Sequence, residues 1–533
     1  MICSLANSLW LAGCAPEYAR FRFAAHRVAQ EQEAVLRRIL SENADTDFGR
    51  EHGFSSIFSA AEYQRRVPVR DYSQHLPWIE RAMDGASGVL TRDPILLFEP
   101  TGGSSGATKL IPYTLALQRE FQRGIRAWIA NLFSHLPELL GGPAYWSVSP
   151  FNPIRERTRG GIAIGFDDDT SYVGGWQNRL VRAVMAVPAG VRTIADRDEF
   201  FYATLFHLVR ARELRLISIW HPSYLSLMLC RLAEWGGRIC FDLAHGNLCS
   251  ADARRAREVR EALGSDLGPE TYARLWPKLK LISCWKDANA AAPAERLAAL
   301  FPHCRMQGKG LIATEAFVSL PLMDREGAAL AIRSHFLEFF ADGDDRPQLA
   351  HQLERGGRYN VVVTTGGGLY RYRLGDRIEV SGYLGECPLV QFVGREQYVS
   401  DWFGEKLTDA HVTQVMRQAF GELGMTPDFS MVACETGSSP GYVLFLESND
   451  SGEKVQRAAA QIEAGLRANF HYDCARRLGQ LACLRAVRVK NGAALYLEEA
   501  ARKGRKMGGV KPPALDRDCG WSKILAPAER DKI

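Results

Sequence analysis

The sequence predicts an α/β protein with a large N-terminal domain, residues 1–400, and a smaller C-terminal α+β domain, residues 401–533. Three observations predict it. The chain has 533 residues, more than one hydrophobic core normally serves. Helical and strand-like patterns alternate through its first part, as in a sheet covered by helices. After Gly394 the pattern changes, and a compact series of helices and strands begins with a boundary near residues 399–403.

The elements follow from periodicity. Residues 16–40 read as one amphipathic helix, with Phe21, Ala24, Val28, Leu36 and Leu40 on a common face. Residues 92–98 read as a strand, followed by a polar loop over 101–108. From 198 to 239 the order is helix, strand, helix, with Asp198 as the first cap and 214–220 as a buried strand. Between 359 and 373 two β-rich runs flank Gly366, Gly367 and Gly368, a hairpin with a glycine turn. In the last part, helices are expected over 409–423 and 454–470, and strands over 429–434, 441–447 and 484–490.

Composition narrows the function classes. The charged fraction is 24% and the hydrophobic fraction 46%, an ordinary globular balance. A net charge of +5 over this length is too small to argue for a nucleic-acid partner. No apolar run reaches the ~18 residues of a membrane span. The twelve cysteines are scattered, with no C-x-x-C pair, which suits reduced thiols in the cytoplasm. Leu11-Ala12-Gly13-Cys14 looks like a lipoprotein cleavage site, but no Lys or Arg precedes it and Asn7 interrupts the apolar stretch.

Five segments carry chemistry. In Thr101-Gly-Gly-Ser-Ser-Gly-Ala-Thr-Lys109, three glycines permit close approach to an oxyanion, and the hydroxyls and Lys109 can donate to phosphate oxygens. It is not a Walker A loop, because two residues separate Gly106 from Lys109. The others are Ala313-Thr314-Glu315, Tyr370-Arg371-Tyr372-Arg373-Leu374-Gly375-Asp376, Gly394-Arg395 with Gly404-Glu405-Lys406-Leu407, and the basic glycine-rich run over 503–513. Taken singly, each has a plainer reading: a loop, a solvated pair, a hairpin with cross-strand Arg–Asp pairs, a capping loop with surface charge, a basic tail.

Together and in this order, the first four resemble the motifs of the adenylate-forming superfamily, and the basic glycine-rich run could deliver a lysine to an adenylate. The wording is narrower still. Asp45-Thr-Asp-Phe-Gly-Arg-Glu-His-Gly-Phe54, Val67-Pro-Val-Arg-Asp-Tyr72, Lys109-Leu-Ile-Pro-Tyr-Thr114, Gly310-Leu-Ile-Ala-Thr-Glu315, the Tyr370–Asp376 run and Gly508-Gly-Val-Lys511-Pro-Pro513 are similar to the auxin-responsive "Gretchen Hagen three" family of acyl acid amido synthetases. Arginine-rich usage and short connections suggest a bacterial member.

The resemblance implies ATP and Mg²⁺, with a small-molecule carboxylic acid and an amine, usually an amino acid, as the other substrates. It implies nucleotide contacts from Thr101, Gly103, Ser104, Ser105, Gly106, Thr108, Lys109, Ala313, Thr314, Glu315, Asp376 and Arg395, with Glu315 also at the metal and Asp376 on the ribose. Lys109, Arg395 and Lys511 are the expected catalytic cations, Lys511 arriving from the small domain. Two positions depart from the pattern: Gly102 replaces a usual hydroxyl, and Gln397 stands where a hinge Asp is usual. The base for the amine stays open among His303, His335 and His471, and Tyr145, Trp146, Tyr172 and Trp176 are candidates for lining the acyl pocket. The alternatives are a coenzyme A ligase with the same motifs and a non-catalytic binder of nucleotide or acid.

Overall fold

The computed structural model describes residues 2–101, 109–147, 157–166, 175–264, 267–395, 399–400, 402, 405–436, 440–503 and 512–526. They fall into two compact units. One comprises residues 1–285, 296–374 and 378–392; the other comprises 286–295, 375–377 and 393–533.

In the first unit the chain opens with two helices, Ile2–Ala24 and Val28–Glu42, where periodicity predicts one over 16–40. The first helix closes with tight bonds: His26 N–H donates to Phe23 O at 3.2 Å and Arg27 N–H to Ala24 O at 2.8 Å. Arg27 then leaves the helical region, with φ of −148°. The predicted apolar face survives the break, since Phe21, Ala24, Val28, Leu36 and Leu40 are all buried. Cys14 is fully buried within the first helix, and Trp10 packs edge-on against Phe133 of the Leu115–His135 helix. Of the cleavage-like Leu11–Cys14 run, Cys14 is buried in the core while Ala12 is exposed.

A four-stranded parallel sheet runs in the order Ala144–Trp146, Leu216–Ser218, Leu281–Ser283, Arg305–Gln307. The helix before its second strand, Arg197–Arg210, is capped by Asp196 rather than Asp198: the Asp196 carboxylate accepts from Glu199 N–H at 2.9 Å. Asp198 lies in the first turn, where its charge still suits the helix dipole. The helix expected after the strand is two, Pro222–Cys230 and Leu232–His245.

A seven-stranded sheet orders Pro347–Leu349, Phe336–Ala341, Arg358–Thr364, Tyr372–Leu384, Cys387–Arg395, Ala328–Leu330 and Ser319–Pro321. The predicted glycine hairpin is its centre. Thr365 to Gly368 form the turn, with Gly368 N–H donating to Thr365 O at 3.2 Å and Gly368 at φ +92°. The second arm starts only at Tyr372, because Arg371 adopts φ of +48° and turns its side chain into the interior. Ile95–Pro100 pairs antiparallel with Leu110–Thr114 and parallel with Ala163–Ile164.

The second unit carries a mixed sheet ordered Ala482–Arg488, Gly441–Glu447, Phe429–Glu435, Leu515–Asp516. Its helices Asp409–Glu422 and Gly452–Leu466 bury Val412, Met416, Val455 and Ile462 on one core. The second helix stops short of the predicted 470. Asn469 intervenes, accepting from His471 and Tyr472 N–H groups, and so starts a new helix, Phe470–Arg477.

Candidate functional site

The predicted phosphate loop joins two paired strands. Pro100 lies opposite Leu110, and Thr101 N–H donates to Lys109 O at 2.9 Å, so the ends of the loop are pinned together. Residues 102–108, with Gly103, Ser104, Ser105, Gly106 and Thr108, lie outside the described residues. Lys109 Nζ reaches the Tyr372 hydroxyl at 3.5 Å and stands 5.7 Å above the Tyr72 ring. Tyr72 fixes the strand beside the loop, its hydroxyl accepting from Leu110 N–H at 2.9 Å. The Tyr372 hydroxyl in turn lies 3.4 Å from Glu315 Oε1.

Glu315 sits in a tight turn. Ala313 N–H donates to Ala316 O at 3.0 Å, and Ile312 bridges Phe317. The turn is held from behind by buried His335, whose Nε2 accepts from Phe317 N–H at 3.0 Å. The other ring nitrogen, Nδ1, meets Glu120 Oε2 at 2.9 Å, and that same oxygen accepts from Gly366 N–H at 2.9 Å. One buried pair thus ties the Thr314–Glu315 turn to the glycine hairpin.

The Tyr370–Asp376 run splits in two. Arg371 is buried and meets Glu338 through Nε at 3.0 Å and Nη2 at 2.9 Å, while Nη1 donates to the Gln64 and Val67 carbonyls. The cross-strand Arg–Asp pair offered as a plain reading of this run is not made by Arg371. Asp376, four residues beyond Tyr372 on the same strand, pairs with Arg395 instead, Nε to Oδ1 at 2.8 Å. Its other oxygen, Oδ2, is buried without a hydrogen-bond partner among the described residues. An unmet carboxylate oxygen suits a ligand hydroxyl. The Glu405 side chain, read from sequence as surface charge, is buried and accepts from Trp402 N–H and the Tyr442 hydroxyl.

Models of three domains of one family span this chain: the GH3 family N-terminal domain matches residues 17–306, the central domain 328–395 and the C-terminal domain 410–518. The chain belongs to the GH3 family. The probable indole-3-acetic acid-amido synthetase GH3.12 of Oryza sativa subsp. japonica is 25% identical, over 89% of either chain. Indole-3-acetic acid-amido synthetase GH3.10 of Arabidopsis thaliana is 22% identical, over 92% of each. The solved structure of the GH3.15 acyl acid amido synthetase superposes with a TM-score of 0.81 at 20% identity, covering 96% of this chain and 95% of that one. The mixed α/β fold is thus that of GH3 proteins.

In this GH3-family chain the remaining candidates separate clearly. Lys503 is engaged at 2.7 Å with Asp518 and lies over Trp521, whereas Lys506 and Lys511 fall outside the described residues. His335 has both ring nitrogens engaged in structure, so it is no free base. His303 is exposed beside Phe301, and what desolvation it meets there lowers its pKa. His471 opens the Phe470–Arg477 helix, its backbone N–H donating to Asn469. Tyr145 is buried against Tyr224, hydroxyl to hydroxyl at 3.2 Å. Tyr172 and the Trp176 side chain lie outside what is described. Trp146 joins a group that sequence reasoning did not find: Trp128, Trp220 and Lys309, with the Lys309 ammonium over all three indoles. The available signal was a lysine between Gly308 and Gly310, just after the strand Arg305–Gln307.

Proposed function

We propose that this chain is an ATP-dependent acyl acid amido synthetase. A carboxylate oxygen attacks the α-phosphorus of ATP and pyrophosphate leaves. The nitrogen of an amine, an amino acid in this reading, then attacks the acyl carbon, loses a proton and expels AMP with the bonding electrons. The names of the relatives support the reaction class. The observation that carries it is the linked set Lys109, Tyr372 and Glu315, gathered where the Thr101–Lys109 loop leaves its strands.

The roles follow from charge. Carboxylate and triphosphate repel, so Lys109 and Arg395 are assigned to offset negative charge, and Asp376 to the ribose hydroxyls. The loop residues 101–108 are assigned to the phosphates, and Ala313 and Thr314 to the nucleotide beside them. Glu315 would hold Mg²⁺, an ion that takes one or two protein carboxylates, fills its shell with phosphate oxygens and water, and supplies charge neutralisation when bound. The small domain, from residue 401 on, contributes Lys511 to the first half-reaction. Twelve cysteines in the reduced state support residence in a reducing cytoplasm. Among the described residues no helix is long and apolar enough to cross a membrane.

The test is pyrophosphate release with a panel of carboxylic acids. Lys109→Ala is expected to abolish it while the circular dichroism of the parent is kept. Lys511→Ala should slow it about 100-fold, equal to about 2.7 kcal/mol of barrier. Unchanged release in Lys109→Ala overturns the assignment. Supplying amino acids and coenzyme A side by side decides the acceptor, an amide product supporting this reading and a thioester replacing it with a coenzyme A ligase.

A further inference from the structure

The parallel sheet ends in a polar row. Trp146, Ser218, Ser283 and Gln307 are the last residues of its four strands and are direct register partners. Register partners on parallel strands point to the same face. Over this row lies Lys309, only 4% exposed. Its Nζ donates to Ser218 Oγ at 2.6 Å and stands 5.1, 5.9 and 4.9 Å from the rings of Trp128, Trp146 and Trp220. Trp128 Nε1 is tied down at 3.1 Å by Gln307 Oε1. Gly310, at φ +70°, fixes the direction of the chain after Lys309, because a Cβ there would meet Ser319 O at 2.7 Å.

This arrangement is built but not satisfied. Ser283 Oγ and Trp146 Nε1 are buried with no hydrogen-bond partner among the described residues. Gln307 Nε2 meets a thioether, Met323 Sδ, at 3.0 Å, a weak acceptor. A buried cation normally faces an anion, since an isolated one is costly. Here, among the described residues, the ionisable neighbour acting on the ammonium is the Cys284 thiol rather than a carboxylate. Burial lowers the Lys309 pKa to about 7, while the indole faces act in the opposite direction. Three donors and a cation thus converge, and among the described residues their acceptors are one hydroxyl, Ser218 Oγ, and one thioether, Met323 Sδ. Apolar rings surround them, at the carboxyl ends of parallel strands, where open α/β sheets take ligands. Lys309 precedes Glu315 by six residues, a reach of at most about 20 Å.

We propose that the Lys309 cage is the distal wall of the acyl-acid pocket and selects acids that carry a second oxygen acceptor, a hydroxyl, oxo or carboxylate group remote from the reacting carboxylate. The indoles hold the body of the acid, and Lys309 with Ser283 and Gln307 grips its second oxygen. This rests on the acid-activating reading above.

The experiment uses the full chain and matched acids: an unsubstituted monocarboxylic acid, its hydroxylated analogue and the corresponding dicarboxylic acid. Pyrophosphate release gives kcat/KM for each, and quenching of indole fluorescence reports acid binding without ATP. In the parent, the oxygenated acids are expected to be preferred. Lys309→Met is expected to cut the ratio of kcat/KM values within a pair about 30-fold, the scale of one hydrogen bond to a charged group. Lys309→Arg should restore part of it. The hydroxy acid and the dicarboxylic acid show separately whether a neutral or an anionic oxygen is held. Ser283→Ala, a smaller change, should lower the same ratio less and serves if Lys309→Met does not fold. If acids are activated but the ratios match the parent in all variants, or fall equally for every acid, the cage is structural and the proposal fails while the function stands. If no acid supports pyrophosphate release, the function reading fails first.

Discussion

Arg371 and Asp376 stand five residues apart in one charged run, yet the protein uses them in opposite ways. Arg371 is saturated: a bidentate carboxylate and two carbonyls take its donors, all away from water. Asp376 is equally buried but has one oxygen satisfied by Arg395 and one left open among the described residues. A saturated buried charge can do nothing further except hold structure. An unsaturated one keeps a site whose best partner comes from outside. Saturation, more than burial or charge, therefore separates the half of the run that can only hold structure from the half left open to a ligand.

The sharpest way to break that contrast is through stability. Arg371→Ala strands Glu338 in the interior, where burial already raises its pKa. Removing one partner of a buried pair typically costs about 3–5 kcal/mol. Urea unfolding should show a loss of that size, and a loss below about 1 kcal/mol would place Arg371 among the exposed, dispensable charges.

The neighbouring His75 offers a pH test of the same interior. Its ring lies 5.6 Å from that of Tyr372, and burial lowers its pKa from 6.5 to about 4. Above pH 6.5 neither the folded nor the unfolded chain is protonated there, and the group contributes nothing. Between pH 6.5 and 4 the unfolded chain takes a proton that the native state refuses, so stability falls as the pH drops. The total is about 3 kcal/mol, complete near pH 4. Unfolding measured across this range should be flatter for His75→Phe than for the parent.

Asp376→Ala should behave as the mirror of Arg371→Ala. It frees a half-exposed Arg395, so unfolding should change by about 1 kcal/mol or less. Binding of ATP, measured by calorimetry, should weaken by about 3 kcal/mol, the loss of hydrogen bonds to a charged acceptor. Undiminished affinity would remove Asp376 from the ribose.

What was legible in the sequence divides along a similar line. Strands such as Gly441–Glu447 announce themselves through a short continuous apolar run, and the motif spacing alone brought Lys109, Glu315 and Asp376 forward. The break after Ala24 carries no Pro or Gly to mark it, because tight backbone bonds make it. The fate of Arg371 depends on Glu338, on a strand 33 residues earlier. Lys309 is hidden more deeply: its environment is assembled from Trp128, Trp146 and Trp220, which lie on different elements and meet only in the folded chain.

Tyr372 marks the boundary between the two behaviours and gives the finest test. Its ring is buried and belongs to the core, packed beside His75. Its hydroxyl stands between the half-buried Lys109 ammonium and the Glu315 carboxylate. Tyr372→Phe keeps the ring and removes only the oxygen, so it separates the two roles within one residue. Because the ring does the packing, unfolding should move by no more than about 0.5 kcal/mol. Because both charged partners have other uses for their atoms once ATP is bound, the hydroxyl is worth one ordinary hydrogen bond, about 1 kcal/mol. That corresponds to a rise of about fivefold in KM for ATP, with kcat nearly unchanged if the hydroxyl only positions Lys109 and Glu315. A large fall in kcat would mean that the hydroxyl acts in the transition state, and a large loss of stability would mean that the Lys109–Tyr372–Glu315 set is part of the saturated interior after all.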